Sequence, residues 1–475
     1  MRSDKRLLHT LKRHLPRVEA AERFAHSAAA GADAAQVQYD AARDLEEALR
    51  LAQPVGRSCQ PLLQAARRFA QAQVLQAEGV DRPAPALIRV GVQRAAQARR
   101  EIELRRRSCR PAPAAPLATV PELETPRSGE AFFGLLSSRT PPGTAFADIR
   151  IGRRQPIRVA ILDDRLLHRI RLAPGRYDIV VNYVYAPNRV VGRARSQDVW
   201  LLPSSAEHAS GARAPNKSLS RRILELAQGF RGYSGIWLHD LTSGRTGAWN
   251  AEARFPAAST VKLAVLIAAL AKFGPRPERS RVAYDLKALT AWSSNLASNR
   301  LLDALGGSES RGSAIAQTVL ERLGAYSSTF TGDYRIGTSL SPVGTRNPPP
   351  LISSRVTTAR DLGRMLYQIH AAALGRQAAL TATGLTRHEA RVGLGLLLSS
   401  EARADNLGLF RPAVGRDYPL AQKNGWFSAV RHTAALLYAP EGPKIAILLT
   451  YRPGITRVEA ARLGARIVAI AIALR

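Results

Sequence analysis

The chain has 475 residues, 45% of them hydrophobic, so it is long enough and apolar enough for two or three globular domains and is not a disordered polymer. Its formal net charge of +32 would attract polyanions such as nucleic acid, anionic lipid or phosphate polymers. The arginines are spread through every region, and few aromatic residues lie among the basic runs, which argues against a specific nucleic-acid-binding surface.

The first 15 residues are basic and mildly amphipathic, without the continuous apolar stretch or the cleavage pattern of a signal peptide. No segment reaches the roughly 18 apolar residues that a membrane-spanning helix needs. The sequence therefore predicts a soluble chain that carries no export signal of its own.

Residues 1–110 are rich in alanine, arginine, glutamine, leucine and glutamate, and apolar residues recur every three or four positions. This spacing predicts a helical region in which helices over 61–77 and 84–107 form a hairpin. Antiparallel packing would bring Cys59 and Cys109 together. Either a disulfide, which would indicate an oxidising compartment, or two separate thiols fits the sequence. The basic helical region is also a candidate to bind an anionic polymer of the cell envelope.

Residues 111–128 contain five prolines, which break any helix and predict an extended linker. Residues 129–203 form short alternating runs separated by turn residues, which indicates a small antiparallel β-sandwich. Its predicted strands are 147–151, 157–163, 169–172, 177–185 and 197–202. No catalytic cluster occurs there, so we expect a spacer or a binding role. A second linker of small and polar residues follows at 204–215.

Residues 216–475 alternate helices and strands. The predicted helices include 219–228, 260–273 and 458–474, and the predicted strands include 235–240, 246–250, 433–438 and 444–450. A sheet assembled from both ends of this region, with helices packed on it, is an α+β architecture.

A serine and a lysine three residues apart, Ser259 and Lys262, open the apolar helix 260–273. This spacing puts the hydroxyl and the amine on one helical face, where a neutral lysine can deprotonate the serine. The chain has only eight lysines, and only Lys262 has a serine three residues before it. Arginine could not act as such a base, because its pKa stays above about 12 in proteins. The pair therefore predicts a serine acyl-transfer enzyme.

Two further motifs follow in the same region. Ser293 and Asn295 lie after the predicted end of a helix, and Lys423, Asn424 and Gly425 lie near the C-terminal strands. Taken singly, such short motifs are ordinary serine-rich loops or exposed strands. Their order along the chain, after the serine and lysine pair, is the stronger signal.

In this order, the motifs resemble those of the penicillin-recognising serine hydrolases, most closely the class A β-lactamases, and the resemblance covers residues 216–475. It implies that Ser259 is the acylated nucleophile and that Lys262 is its base, with a pKa depressed by burial beside Lys423. The ammonium group of Lys423 would also bind the carboxylate of the substrate.

The same resemblance implies a proton relay and a substrate-binding surface. Ser293 would pass a proton to the leaving nitrogen of the substrate. The backbone N–H groups of Ser259 and Trp426 would form an oxyanion hole. The substrate-binding residues would be Asn295, Lys423, Asn424, Gly425, Trp426 and Arg431.

Each of these residues has its own implied contact. Asn295 would hold the side-chain amide of the substrate, and Asn424 would replace the hydroxyl residue that the family has at that position. Gly425 would let the ligand approach the backbone. Arg431 and His432 are candidates for a second carboxylate contact, although either also fits an exposed position.

Two positions depart from the family pattern. Ser294 lies where the family usually has an aspartate that organises the loop. Class A β-lactamases also carry a glutamate that activates the deacylating water, yet residues 334–355 contain no carboxylate, and Asp333 is the nearest one. Without a placed base, an acyl-enzyme formed on a β-lactam is expected to turn over slowly.

Three functional hypotheses follow. The first is a β-lactamase-like hydrolase that opens the β-lactam ring and so serves in the response to antibiotics. The second is a D,D-peptidase-like enzyme or slow-turnover penicillin-binding protein that acts on cell-wall peptides. The third is a non-catalytic receptor, which would not need both amines beside the hydroxyl.

These motifs require no metal and no cofactor, because the sequence has no HExxH motif and no paired-cysteine ligand set. We expect a β-lactam or a peptidoglycan peptide as the substrate. The resemblance implies a secreted or cell-envelope location. The predicted fold is an α+β domain with an antiparallel sheet packed between helices, preceded by the helical region and the β-sandwich.

Overall fold

The structure is a computed structural model that describes residues 2–26, 32–53, 55–109, 123–185, 189–332, 355–402, 406–414 and 418–474. The chain divides into two compact units. The first, here called the helical unit, comprises Met1–Ala118, Ser294–Arg300 and Tyr334–Ser339. The second, here called the sheet unit, comprises Thr119–Ser293, Leu301–Asp333 and Leu340–Arg475.

The N-terminal part of the helical unit contains the helices α1 (Arg2–Ala25), α2 (Ala32–Leu51), α3 (Gln60–Asp81) and α4 (Pro85–Arg106). Apolar residues at helical spacing, such as Leu45, Leu49 and Phe69, are fully buried and form its core. The helices α3 and α4 form the predicted hairpin. A disulfide joins Cys59 to Cys109, so the structure contains the first of the two cysteine arrangements that the sequence left open.

The helix α3 ends four residues later than predicted, because it continues through Gly79 instead of turning there. A β-carbon at Gly79 would lie 2.6 Å from a side-chain carbon of Ile88, so glycine allows the two helices to approach closely at this point. The break comes instead at Pro83 and Pro85, which cannot continue the helix. The extension adds residues 78–81 to α3.

The sheet unit begins with a β-sandwich made of a five-stranded sheet, in the order β1-β7-β6-β3-β4, and a two-stranded sheet, β2-β5. Its strands are β1 (Ala131–Phe132), β2 (Leu135–Arg139), β3 (Phe146–Ile151), β4 (Ile157–Ala160), β5 (Arg165–Arg169), β6 (Gly175–Tyr185) and β7 (Arg189–Leu201). Pairing is antiparallel except between β1 and β7. Leu136 and Leu166 from the small sheet share a buried core with Ile149 and Val181 from the large one. The β-sandwich was predicted, but β7 starts eight residues earlier than expected because its first half pairs with β6.

The remainder of the sheet unit, with the first residues of α8 in the helical unit, has the predicted α+β architecture. Its helices are α5 (Lys217–Gln228), α6 (Lys262–Phe273), α7 (Ala283–Ala291), α8 (Asn295–Gly306), α9 (Glu309–Arg322), α10 (Ala359–Ala373), α11 (Gln377–Thr383), α12 (Arg387–Leu398), α13 (Arg411–Val414) and α14 (Arg457–Ile472). Its strands are β8 (Tyr233–Asp240), β9 (Thr246–Trp249), β10 (Phe255–Pro256), β11 (Val356–Thr357), β12 (Leu420–Phe427), β13 (Val430–Ala439) and β14 (Gly442–Tyr451).

Strands from both ends of this region form one antiparallel sheet in the order β12-β13-β14-β8-β9. On one face, apolar residues of α5 and α14, including Ile223 and Ile467, pack against Ile236 and Leu448 of the sheet. The strands β8 and β14 also share a fully buried ion pair, in which the Nζ of Lys444 donates to Oδ1 of Asp240 at 2.6 Å. The strand β12 lies at the end of this sheet and carries the motif that begins at Lys423.

A buried polar cluster joins the β-sandwich to the α+β region within the sheet unit. The two ring nitrogens of His388 lie 3.1 Å from a carboxylate oxygen of Glu130 and 3.3 Å from one of Glu278. Burial lowers the pKa of His388, but the hydrogen bonds to these two carboxylates outweigh burial, so its pKa is raised overall. The charged imidazolium is therefore the form that this cluster stabilises.

Candidate active site

Ser259 lies in a tight turn immediately before α6. Two successive backbone hydrogen bonds in this turn join residues that are three apart. The N–H of Lys262 donates to the carbonyl of Ser259, and the N–H of Leu263 donates to the carbonyl of Thr260. The helix proper therefore starts at Lys262, two residues later than predicted. The residue before the serine, Ala258, has a φ of +48°, which is a strained conformation for a residue other than glycine. The nucleophile candidate is thus presented by a strained turn and is half-buried.

The Lys262 side chain is fully buried in the first turn of α6. Its Nζ donates a hydrogen bond to the backbone carbonyl of Ser293 at 2.7 Å. The hydroxyl of Ser259 makes no hydrogen bond to any residue that the structure describes. The two groups of the serine and lysine pair share one turn of chain without a direct hydrogen bond, and catalytic hydrogen bonds often tighten only when a substrate is bound.

Lys423, on β12, is also fully buried, and its Nζ donates to the hydroxyl of Ser293 at 2.7 Å. The same ammonium donates to the backbone carbonyl of Asn424 at 2.8 Å. Burial, and then the neighbouring charge of Lys262, hold the pKa of Lys423 well below its usual range. Ser293 therefore links the two amines, one through its carbonyl and one through its hydroxyl.

Ser293 itself has a φ of +62°, in the left-handed region that a residue with a side chain seldom adopts. Such a conformation persists only where surrounding contacts determine it. The hydrogen bonds from Lys262 and Lys423 are two of those contacts.

Gly425 brings the edge strand β12 against the turn that carries Ser259. A β-carbon at this position would lie 2.9 Å from the backbone nitrogen of Ser259 and 3.1 Å from the side chain of Thr260. Only glycine allows so close an approach. Among the described residues, the N–H of Ser259 donates no backbone hydrogen bond, which suits a donor to an oxyanion.

The side chain of Asn424 is hydrogen-bonded within the fold. Its amide nitrogen donates to the carbonyl of Asn406 at 2.8 Å, and its amide oxygen accepts from the hydroxyl of Thr433 at 2.8 Å. The residue is almost fully buried. Since alternate residues of a strand point to opposite faces, Asn424 faces away from the side that Lys423 occupies. Asn424 therefore holds β12 to its neighbours, and its contact with a substrate stays a prediction.

Arg431 and His432, the two candidates for a second carboxylate contact, differ in exposure. The Arg431 guanidinium lies 5.9 Å from the ring centre of Trp426, which is 59% exposed, and it donates to the carbonyl of Val430 at 2.8 Å. His432 is buried, and its nitrogens bond to the carbonyl of Pro256 and the backbone N–H of residue 450. Burial lowers the pKa of His432 to about 4, so it is neutral at pH 7 and joins β10 to the sheet rather than binding an anion.

Asn295 and Ser294 belong to the helical unit, where they contact carboxylates of α3. The Ser294 hydroxyl donates to Glu78 at 2.8 Å. The backbone N–H and the side-chain amide of Asn295 donate to the two oxygens of Asp81 at 3.0 and 3.1 Å. Neither carboxylate is predicted from the sequence. The one signal is Ser294, which leaves the motif without the aspartate that is usual in the family that this region resembles.

Three further findings complete the site. Asp333 and the stretch 334–354, where the family's deacylating glutamate was sought, lie outside the described residues. The described residues include no group of three or more histidine, cysteine, aspartate or glutamate side chains able to hold a metal ion. No helix within the described ranges is long and apolar enough to cross a membrane.

A family model described as the beta-lactamase enzyme family matches residues 218–276 and 278–473, more than half of the chain. The comparison with curated proteins found no match to this chain. Among solved structures, PBP-A is 17% identical, with 56% of this chain and 100% of that chain covered and a TM-score of 0.43. An ancestral class A beta-lactamase is 20% identical, with 53% and 99% covered and a TM-score of 0.41. A beta-lactamase from Desulfarculus baarsii DSM 2075 is 22% identical, with 53% and 97% covered and a TM-score of 0.40.

Proposed function

The chain belongs to the beta-lactamase enzyme family, and we propose that its α+β region is a serine hydrolase that opens β-lactam amide bonds through an acyl-enzyme on Ser259. The observation that carries the proposal is the convergence of two buried amines, Lys262 and Lys423, on Ser293. Burying two amines is costly, and a site that only held structure together would not need both.

The two amines form a coupled pair. Burial and mutual repulsion disfavour the state in which both carry a charge, and we assign the neutral form to Lys262 when the substrate carboxylate binds the Lys423 ammonium. A neutral Lys262 takes the proton of the Ser259 hydroxyl as the oxygen attacks the carbonyl carbon of the substrate. Lys262 becomes an ammonium in this step, and the serine oxygen gains the new bond to carbon.

The ring opens when the bond between that carbon and the amide nitrogen breaks. Ser293 gives its hydroxyl proton to the leaving nitrogen and receives one from the Lys423 ammonium, to which it is hydrogen-bonded. The proton count balances, because Lys262 gains one proton and Lys423 loses one. The depressed pKa of Lys423 makes this ammonium a stronger acid than an exposed lysine.

The negative charge on the carbonyl oxygen needs donors close to Ser259. The backbone N–H of Ser259 and that of Trp426, one residue after Gly425, are the proposed pair. The close approach of β12 at Gly425 to the Ser259 nitrogen supports this assignment.

A second candidate function is a penicillin-binding or D,D-peptidase-like enzyme that is acylated quickly and released slowly. The observation that favours it is the absence of any carboxylate from residues 334–355 of the sequence. Without that base, water attacks the ester slowly and the acyl-enzyme accumulates.

The location proposed for the protein is outside the cytoplasmic membrane, in an oxidising compartment. The disulfide between Cys59 and Cys109 supports this, because such bonds are rare in the reducing cytosol. The net charge of +32 supports attraction to an anionic polymer of the envelope, which would keep the enzyme near its substrate.

The test is intact-protein mass spectrometry combined with an assay of ring opening. Penicillin G is a suitable probe, since a variant of the similar protein PBP-A forms an acyl-enzyme complex with it. A persistent adduct supports the slow-release function, and ring opening without accumulation supports the β-lactamase function. Either result must vanish in Ser259→Ala, and a wild-type chain that shows neither would contradict the proposed function.

A further inference from the structure

We propose that Glu78 and Asp81, two carboxylates of the helix α3, are positioning residues for the proton relay at Ser293 and the amide-binding residue Asn295. This inference rests on the proposed function and extends it to the helical unit. Neither carboxylate touches the reacting atoms, so each acts through the residue that it holds.

The first contact fixes Ser294. Its hydroxyl donates to Oε1 of Glu78 at 2.8 Å and accepts from the backbone N–H of Ala297 at 3.2 Å. Glu78 is 3% exposed and Ser294 is 1% exposed, so the hydrogen bond is shielded from water. The loss of a buried hydrogen bond costs more than the loss of an exposed one, because water cannot replace the missing partner.

The second contact fixes Asn295. One oxygen of Asp81 accepts from the backbone N–H of Asn295 at 3.0 Å, and the other accepts from its side-chain amide nitrogen at 3.1 Å. This two-point contact holds the backbone and the side chain together. It also places negative charge at the start of α8, where the first N–H groups lack partners within the helix and the helix dipole is positive.

The two carboxylates take the place of a group that the motif itself lacks. In the family that this region resembles, the middle residue is an aspartate that organises the loop from within. Here Ser294 carries no carboxylate, and its hydroxyl donates to an acid 216 residues earlier in the chain. The missing carboxylate is supplied by α3.

The two carboxylates act on Ser293 through the backbone of the two residues that follow it. Ser293 directly precedes Ser294 and has a strained φ of +62°, which requires support from both sides. The hydrogen bonds with Lys262 and Lys423 hold Ser293 itself. Glu78 and Asp81 hold the two residues that follow it. Without them, Ser293 can relax away from the Lys423 ammonium.

The two acids are expected to affect different kinetic constants. Glu78 acts on Ser294, the neighbour of the proton relay, so Glu78→Gln should lower the maximal acylation rate with penicillin G about 10- to 100-fold, with little change in apparent affinity. Asp81 acts on Asn295, so Asp81→Asn should mainly weaken apparent affinity. A merely structural role would lower both constants together in both variants.

Controls separate positioning from general damage. Glu101→Gln removes a partly exposed acid of α4 that pairs with the exposed Arg68, so it should leave both constants within about twofold, as expected for an ion pair at the surface. Asp81→Glu keeps the charge and should recover part of the affinity that Asp81→Asn loses. Identical behaviour of Glu78→Gln, Asp81→Asn and wild type would overturn the proposal.

Amide hydrogen exchange tests the same proposal without any substrate. Asp81→Ala should accelerate exchange of the Asn295 amide at least about tenfold, while amides of β13 and β14 keep their protection, because the lost hydrogen bond is local. Unchanged exchange at Asn295 would overturn the positioning role. A wild-type chain that is not acylated, but whose Asn295 amide responds in this way, would contradict the proposed function alone.

Discussion

The substitution Ser293→Ala removes the hydroxyl that is proposed to relay the proton to the leaving nitrogen. This oxygen accepts a 2.7 Å hydrogen bond from the buried Lys423 ammonium. Its loss leaves the ammonium with the carbonyl of Asn424 as its remaining hydrogen-bond partner among the described residues. A buried hydrogen bond to a charged group contributes about 1.5 to 3 kcal/mol, so the free energy of unfolding should fall by about that amount at neutral pH.

The kinetic effect should be larger than the effect on stability. General acid catalysis contributes about 10²- to 10⁴-fold, which corresponds to about 3 to 5 kcal/mol of the activation barrier. Single-turnover acylation by penicillin G, followed by quenching and mass spectrometry, measures this directly. We expect the acylation rate constant of Ser293→Ala to fall by at least 100-fold at saturating penicillin.

The matched control is Ser313→Ala, which removes another buried serine hydroxyl of the sheet unit, one that bonds to the carbonyl of Phe330 at 3.4 Å. This variant should acylate within about threefold of the wild type, since it lies outside the proposed site. If Ser293→Ala also acylated within threefold of the wild type, Ser293 would not be the proton relay, and its contacts with the two amines would have no part in acylation.

Three further predictions concern the frame of the site. Gly425→Ala would place a methyl group 2.9 Å from the Ser259 nitrogen, so acylation should fall at least about tenfold with the fold retained, and wild-type kinetics would contradict the close approach. Asp240→Asn leaves the Lys444 ammonium buried without its charge partner, so urea unfolding should show a loss of about 3 to 5 kcal/mol, and a loss below 1 kcal/mol would count against a tight buried pair. Because the folded pKa of His388 is raised, its stabilising contribution is full below the unfolded pKa near 6.5 and is lost as pH rises through the folded pKa. The stability advantage of wild type over His388→Gln should therefore shrink between pH 6 and pH 9, and a constant advantage in urea unfolding at both pH values would show that the cluster does not titrate.

The sequence predicts well what depends on local pattern. The apolar spacing around Phe69 indicated the α3 and α4 hairpin, and the alternation in residues 129–203 indicated the β-sandwich. The assignment of an α+β region with a sheet built from both chain ends also agrees with the structure. These features follow from the periodicity of the apolar residues and from the order of the motifs, and both can be read from the sequence alone.

The differences arise where a residue's role depends on a distant partner. Residues 259–261 form a turn and not a helix, since β12 approaches at Gly425 and the chain reverses at Ala258. The orientation of Asn424 is set by Thr433 on the neighbouring strand. Nothing local distinguishes such an asparagine from one that faces a ligand.

The contacts that α3 makes with the motif could not be predicted from the sequence. Glu78 and Asp81 lie more than 200 residues before the motif that they support. The predicted helix 61–77 also ends before these residues, because a glycine such as Gly79 favours a turn. The disulfide was undecided for a related reason, since two cysteines pair only if the fold brings them together.

Peptide-level mass spectrometry after a brief exposure to penicillin G identifies the residue that carries the acyl group. We expect one acylated residue, Ser259, in the wild type, and no acylation in Ser259→Ala. Acylation at another residue, or a ring-opening activity that survives in Ser259→Ala, would contradict this expectation.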